Sequence, residues 1–122
     1  MDWVITAAHL LLFSHDAEAD RAFLSDVLGW PFVRAGGPED TWLIFRLPPA
    51  EVAVHPTDGP ESTELYLMCD DLTATLAELA AQGVSTTSEP RDQGWGVVTA
   101  IRLPSGTELG LYQPKHATAH QL

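Results

Sequence analysis

With a single cysteine, Cys69, the chain can form no intramolecular disulfide. Cys69 lies between Met68 and Asp70 in an apolar run, where a small buried side chain is expected rather than a reactive thiol. Basic residues are scarce: 6 Lys and Arg stand against 17 Asp and Glu, for a formal net charge of −11. Such a surface repels phosphates, and no local Lys/Arg cluster compensates, so nucleic acid is excluded as a partner. Long apolar runs are also missing. The stretch AAHLLLF is far too short to span a bilayer, so no membrane partner is expected. The opening MDWVITAAHLLLFSHD lacks the basic segment of a signal peptide, and a cytoplasmic location is the expectation. There is no Gly-rich phosphate loop, no cysteine pair for zinc and no nucleophile elbow.

What the sequence does contain is a repetition. At 122 residues and 45% apolar content it suits one domain with an ordinary core. Within it, RLPPAEVAVHP from Arg46 and RLPSGTELGLYQP from Arg102 are near copies, 56 positions apart. Each is preceded by a helix. In HDAEADRAFLSDVLGW, residues Ala19, Phe23, Leu24, Val27 and Leu28 have helical spacing, with Ser14 or Asp16 as cap and Gly29 as stop. In CDDLTATLAELAAQGV the stripe is Leu72, Leu76, Leu79 and Ala80, capped by Asp70 or Asp71 and stopped at Gly83. A strand-length apolar run leads into each helix, HLLLFS in one half and ELYLMC in the other. Three strand-like segments follow each: PFVRAG, TWLIFRL and EVAVH in the first half, and VSTTSE, GVVTAIRL and ELGLYQ in the second.

The expected architecture is therefore α+β, a single domain over 1–122 made of two tandem βαβββ modules at about 5–57 and 60–114. One helix covers one face of each small sheet, and the uncovered faces curve together around a central cleft. Alternation assigns the side chains. Leu10, Leu12, Leu65, Leu67, Cys69, Val52, Val54, Leu109 and Leu111 are expected on the helix side. His9, Leu11, Phe13, Glu51, Ala53, His55, Glu64, Tyr66, Met68, Glu108, Gly110 and Tyr112 are expected to face the cleft. Trp42 and Trp95 are candidates for its rim, while Trp3 and Trp30 suit packing or an interface. His15, His116 and His120 fall in a cap or tail and are expected to be solvated, and the end KHATAHQL to fray.

This pattern resembles the glyoxalase, bleomycin-resistance and extradiol-dioxygenase group, also called the vicinal oxygen chelate superfamily. The resemblance runs from about His9 to Pro114 and rests on FLSDVLGW, LYLMCDDL, the pair Trp95 and Gly96, and LPSGTELGLYQP. It implies the fold described above but not one reaction, because the superfamily holds lyases, isomerases, dioxygenases, thiol transferases and proteins that only sequester antibiotics. Metal-dependent members place ligands at positions that correspond here to His9, Ala53, Glu64 and Gly110. Only His9 and Glu64 could bind a divalent ion such as Zn, Fe, Ni or Mn, and a catalytic centre normally has three protein ligands. His55 and Glu108 lie two residues from the missing ligands, about 6.6 Å along a strand, against a metal–ligand bond of about 2.1 Å.

Two functional expectations follow. One is a small-molecule binding protein that holds or sequesters an aromatic or cationic ligand in the cleft without a complete metal site. The glycine and alanine there leave room among Leu11, Phe13, Tyr66, Met68 and Tyr112, and the acidity favours a cation. The other is a divalent-metal-dependent lyase, isomerase or dioxygenase using His9 and Glu64. The resemblance also implies a homodimer, because small members commonly pair their halves across subunits.

Overall fold

The computed structural model describes residues 7, 9–38 and 41–122. In chain order the elements are helix α1 (Ala17–Asp26), strands β1 (Phe32–Arg34), β2 (Leu43–Phe45) and β3 (Tyr66–Met68), helix α2 (Leu72–Ala81), and strands β4 (Arg91–Asp92), β5 (Gly96–Arg102) and β6 (Glu108–Pro114). Both helices begin where an aspartate satisfies free backbone amides: Asp16 accepts from Ala19 N at 3.2 Å and Asp71 from Ala74 N at 3.0 Å. Each runs for 10 residues and is followed closely by a glycine with positive φ, Gly29 or Gly83, a conformation that other residues adopt only with strain.

β3, β6, β5 and β4 form a four-stranded sheet in that order, with β3 parallel to β6 and the other pairs antiparallel. β1 and β2 make a separate antiparallel hairpin. The β6 pleat sends Leu109 and Leu111 to one face, where they meet Ile101 and Leu103, Leu72 and Leu79 from α2, and Phe23 from α1. Both helices thus share one core against the larger sheet. A second tie joins them. Asp20 of α1 is a buried carboxylate that accepts from Ser105 N at 3.0 Å and Ser105 Oγ at 2.7 Å, so α1 is pinned to the turn between β5 and β6. Burying a carboxylate is costly unless it is hydrogen-bonded, and here it is. That turn is where the two similar stretches differ, PSGT in one and PPAE in the other.

The mixed α+β class agrees with the sequence pattern, but the halves differ in completeness. Residues 64–114 hold a strand, a helix and three strands, although the first strand expected after the helix, at VSTTSE, is only an isolated bridge, Thr86 to Ile101, and the edge strand lies further on at β4. The first half holds a helix and a hairpin. The segments expected as its outer strands, 9–14 and 51–55, have no regular structure. A strand needs a neighbour to satisfy its amides, and among the described residues neither segment has one. Their apolar side chains are consequently in water: Leu11 is 61% exposed, Phe13 89%, Val52 90% and Val54 94%. Among the described residues no helix is long and apolar enough to cross a membrane.

Candidate functional site

The helix-free face of the larger sheet carries an aromatic cluster, and strand register puts it there. Tyr66 of β3 lies opposite Gly110 of β6, and Met68 opposite Tyr112. Because position 110 has no side chain, the Tyr66 ring lies directly over it: a Cβ at 110 would come within 2.2 Å of Tyr66 Cδ1 and 2.7 Å of its Cγ. Trp95 joins from the turn between β4 and β5. Asp92 shapes that turn by accepting from Gly94 N at 2.9 Å, Gly94 has φ 87, and the Trp95 carbonyl accepts from Lys115 N at 2.8 Å. The Tyr66 and Tyr112 rings meet edge to face at 5.8 Å, Tyr66 and Trp95 at 6.1 Å, and Trp95 and Tyr112 at 5.1 Å. Gly96 is the second close approach, since a Cβ there would be 2.8 Å from Tyr112 Cδ2 and 2.9 Å from the Gln113 carbonyl oxygen.

Sequence reasoning missed one member. His116, expected in a solvated tail, stacks on Tyr112 at 5.9 Å and 27°, with the Tyr112 hydroxyl 3.0 Å from its Nε2. Its Nδ1 is 2.7 Å from the Ala117 carbonyl. A carbonyl only accepts, so Nδ1 carries a proton and donates to it. Helical or strand periodicity could not reveal this contact, because it lies beyond the last strand.

The electrostatics keep the two phenols neutral. Burial, then the nearby Glu64 carboxylate, push the Tyr66 hydroxyl above its ordinary range; burial, then Glu51, do the same for Tyr112. Both remain protonated donors near neutral pH. Burial likewise raises the Cys69 thiol, whose Sγ lies 3.6 Å from the Tyr112 carbonyl, so it is a poor nucleophile.

The other residues expected to line a cleft lie apart from this cluster or at its margin. Trp95 and Tyr66 are about two-fifths exposed, Met68 is partly buried, and Tyr112 is buried beneath its neighbours. His9, Leu11, Phe13, Ala53 and His55 sit exposed in the two segments without regular structure. Trp42 is exposed just before β2, Glu64 is exposed ahead of β3, and Glu108 pairs with Arg102 at 3.5 Å.

Do these residues fit a divalent metal? Position 110 offers no donor, and the space a ligand side chain would need above it is filled by the Tyr66 ring. Position 53 is an exposed alanine, and Glu108 is engaged by Arg102. Among the described residues no three His, Cys, Asp or Glu side chains come together in a cluster that could hold an ion. Among the described residues these donors do not amount to a three-ligand centre.

Comparison with known proteins gives the lineage. The model of the Glyoxalase/Bleomycin resistance protein/Dioxygenase superfamily matches residues 6–111. The chain belongs to this superfamily. Among solved structures, this superfamily member is similar to TnmS3, an antibiotic binding protein from Streptomyces sp. CB03234. The identity is 27% over 93% of this chain and 100% of the other, with a TM-score of 0.66. A glyoxalase/bleomycin resistance protein from the same organism is 28% identical over 82% of this chain and 93% of its own, with a TM-score of 0.55. Lactoylglutathione lyase from Agrobacterium tumefaciens shares the fold at 17% identity and a TM-score of 0.60, covering 91% of this chain and 96% of its own. No curated protein matches the chain.

Proposed function

We propose that this superfamily member is a small-molecule binding protein whose ligand, aromatic or cationic, rests against Tyr66, Trp95 and Tyr112 without a complete metal site. The observation that carries this is the packing of Tyr66 over Gly110. An aromatic wall takes the place of a ligand side chain, and the two phenol hydroxyls stay protonated as donors. Flat apolar rings with a few polar atoms at their edge suit an aromatic guest, and a net charge of −11 favours a cationic one. The likeness to an antibiotic binding protein over nearly the whole chain supports the same class.

A titration with the planar cationic dye 9-aminoacridine, followed by its fluorescence, tests this reading. Metal-free wild-type protein is expected to bind it saturably, and Tyr66→Ala to weaken binding roughly tenfold, the equivalent of about 1.4 kcal/mol. Stoichiometric Zn, Fe, Ni or Mn in the purified protein, lost in His9→Ala, would replace this reading with a metal-dependent lyase, isomerase or dioxygenase using His9 and Glu64.

Segments 9–14 and 51–55, which pair with no strand among the described residues, support a homodimer in which a second copy supplies strand partners and completes the cleft. Leu11, Phe13, Val52 and Val54 are the apolar surface such an interface would bury. Sedimentation at micromolar concentration is expected to show a dimer. A monomer there refutes the assembly.

A further inference from the structure

The C-terminal segment 115–122 does more than trail from β6. Its root is firm: Lys115 N donates to the Trp95 carbonyl at 2.8 Å, and the Lys115 side chain pairs with Asp92. Beyond Lys115 the arm is held at two places by other described residues. His116 stacks on Tyr112, whose hydroxyl is hydrogen-bonded to its Nε2 at 3.0 Å. Further along, the backbone amides of Ala119 and His120 both donate to one carboxylate oxygen of Glu51, at 2.9 and 3.2 Å. The turn between these amides and the chain end is closed by its own bonds, Thr118 Oγ1 to Gln121 Oε1 at 3.0 Å and Leu122 N to Ala119 O at 3.0 Å.

Glu51 stands at the start of the segment that carries Ala53 and His55. The arm therefore bridges the two halves of the chain, from the end of β6 to the long stretch between β2 and β3. That stretch has no regular structure to hold it, so the bridge is one of its few fixed points. The anchoring bonds are charge-assisted but near solvent, so the arm is held yet releasable.

We propose that the arm is a clasp over the aromatic site: Glu51 pins it, His116 covers Tyr112, and a ligand reaches the Tyr112 ring once the clasp opens. This inference rests on the binding reading above, and the test separates the two. Backbone amide exchange of Ala119 and His120, and the ring-current shifts of His116, are measured by NMR without ligand. The association rate of 9-aminoacridine is measured by stopped flow. Glu51→Ala is expected to speed exchange at both amides at least fivefold, to remove the His116 ring-current shift and to raise the dye association rate at least fivefold. Glu51→Gln, which keeps an acceptor oxygen but not the charge, is expected to fall between. A chain ending at Lys115 is expected to match Glu51→Ala in dye association. Faster amide exchange with an unchanged association rate overturns the clasp and leaves the binding site standing, and so does exchange that Glu51→Ala fails to alter. No dye binding by wild type or any variant overturns the binding reading and the clasp with it.

Discussion

Leu109→Ala is expected to destabilise the fold by about 2–5 kcal/mol, the range for truncating a well-packed buried leucine. Leu109 is 1% exposed and stands opposite Ile101, also 1% exposed, where the two longest strands meet the helices. Its side chain belongs to the cluster that joins Phe23 of α1 to Leu72 and Leu79 of α2, so the cavity left behind touches both halves of the chain. For a domain of this size the loss corresponds to a fall in Tm of roughly 8–20 °C. Val54→Ala is the control, because Val54 is 94% exposed and its truncation is expected to stay within about 0.5 kcal/mol for the monomer. Thermal or urea unfolding of the two variants checks both figures. A Leu109→Ala cost below about 1 kcal/mol would mean that the shared core is not where stability resides.

Gly110→Ala carries the other large effect. The added methyl would overlap the Tyr66 ring at its base as well as its edge, 2.2 Å from Cδ1, 2.5 Å from Cε1 and 2.7 Å from Cγ. The collision is relieved only if the ring swings away, because the Cβ of a strand residue cannot move without its backbone. Tyr66 then leaves Trp95 and Tyr112, and the aromatic wall opens. The near-ultraviolet circular dichroism of the cluster is expected to collapse, dye affinity to fall at least tenfold, and stability to drop by about 1–3 kcal/mol from overpacking. Gly110→Ala combined with Tyr66→Ala is expected to recover much of the stability but none of the binding, since the two positions are in contact and their effects do not add. If Gly110→Ala keeps both the aromatic signal and the affinity, the ring over the glycine is not the wall of the site.

Much of this geometry was legible before any coordinates. The caps Asp16 and Asp71 and the stops Gly29 and Gly83 are local chemistry, and the helices lie between them. The alternation Leu109, Gly110, Leu111, Tyr112 separates core from open face because the strand period is two and the partner strand is adjacent in sequence. Segments 9–14 and 51–55 read equally well as strands, yet pattern alone cannot provide the neighbour whose amides they need. The same limit hid Asp20, whose partner Ser105 is 85 residues away, and Glu51, whose partners lie 68 and 69 residues away. Those side chains look like ordinary surface acids until the backbone brings unsatisfied N–H groups to them. β4 was missed for a related reason: two polar residues, Arg91 and Asp92, form an edge that owes its pairing to β5 rather than to its own composition.

The bond between Asp20 and the Ser105 turn gives the molecule a cooperativity that neither half would have alone. Fraying of the first helix carries its carboxylate away and leaves the Ser105 amide without an acceptor, while loosening of the distant hairpin strips that same carboxylate of its donors. Early and late portions of the polypeptide must therefore melt as one body, and a chain severed midway would have to reassemble its pieces before either became rigid.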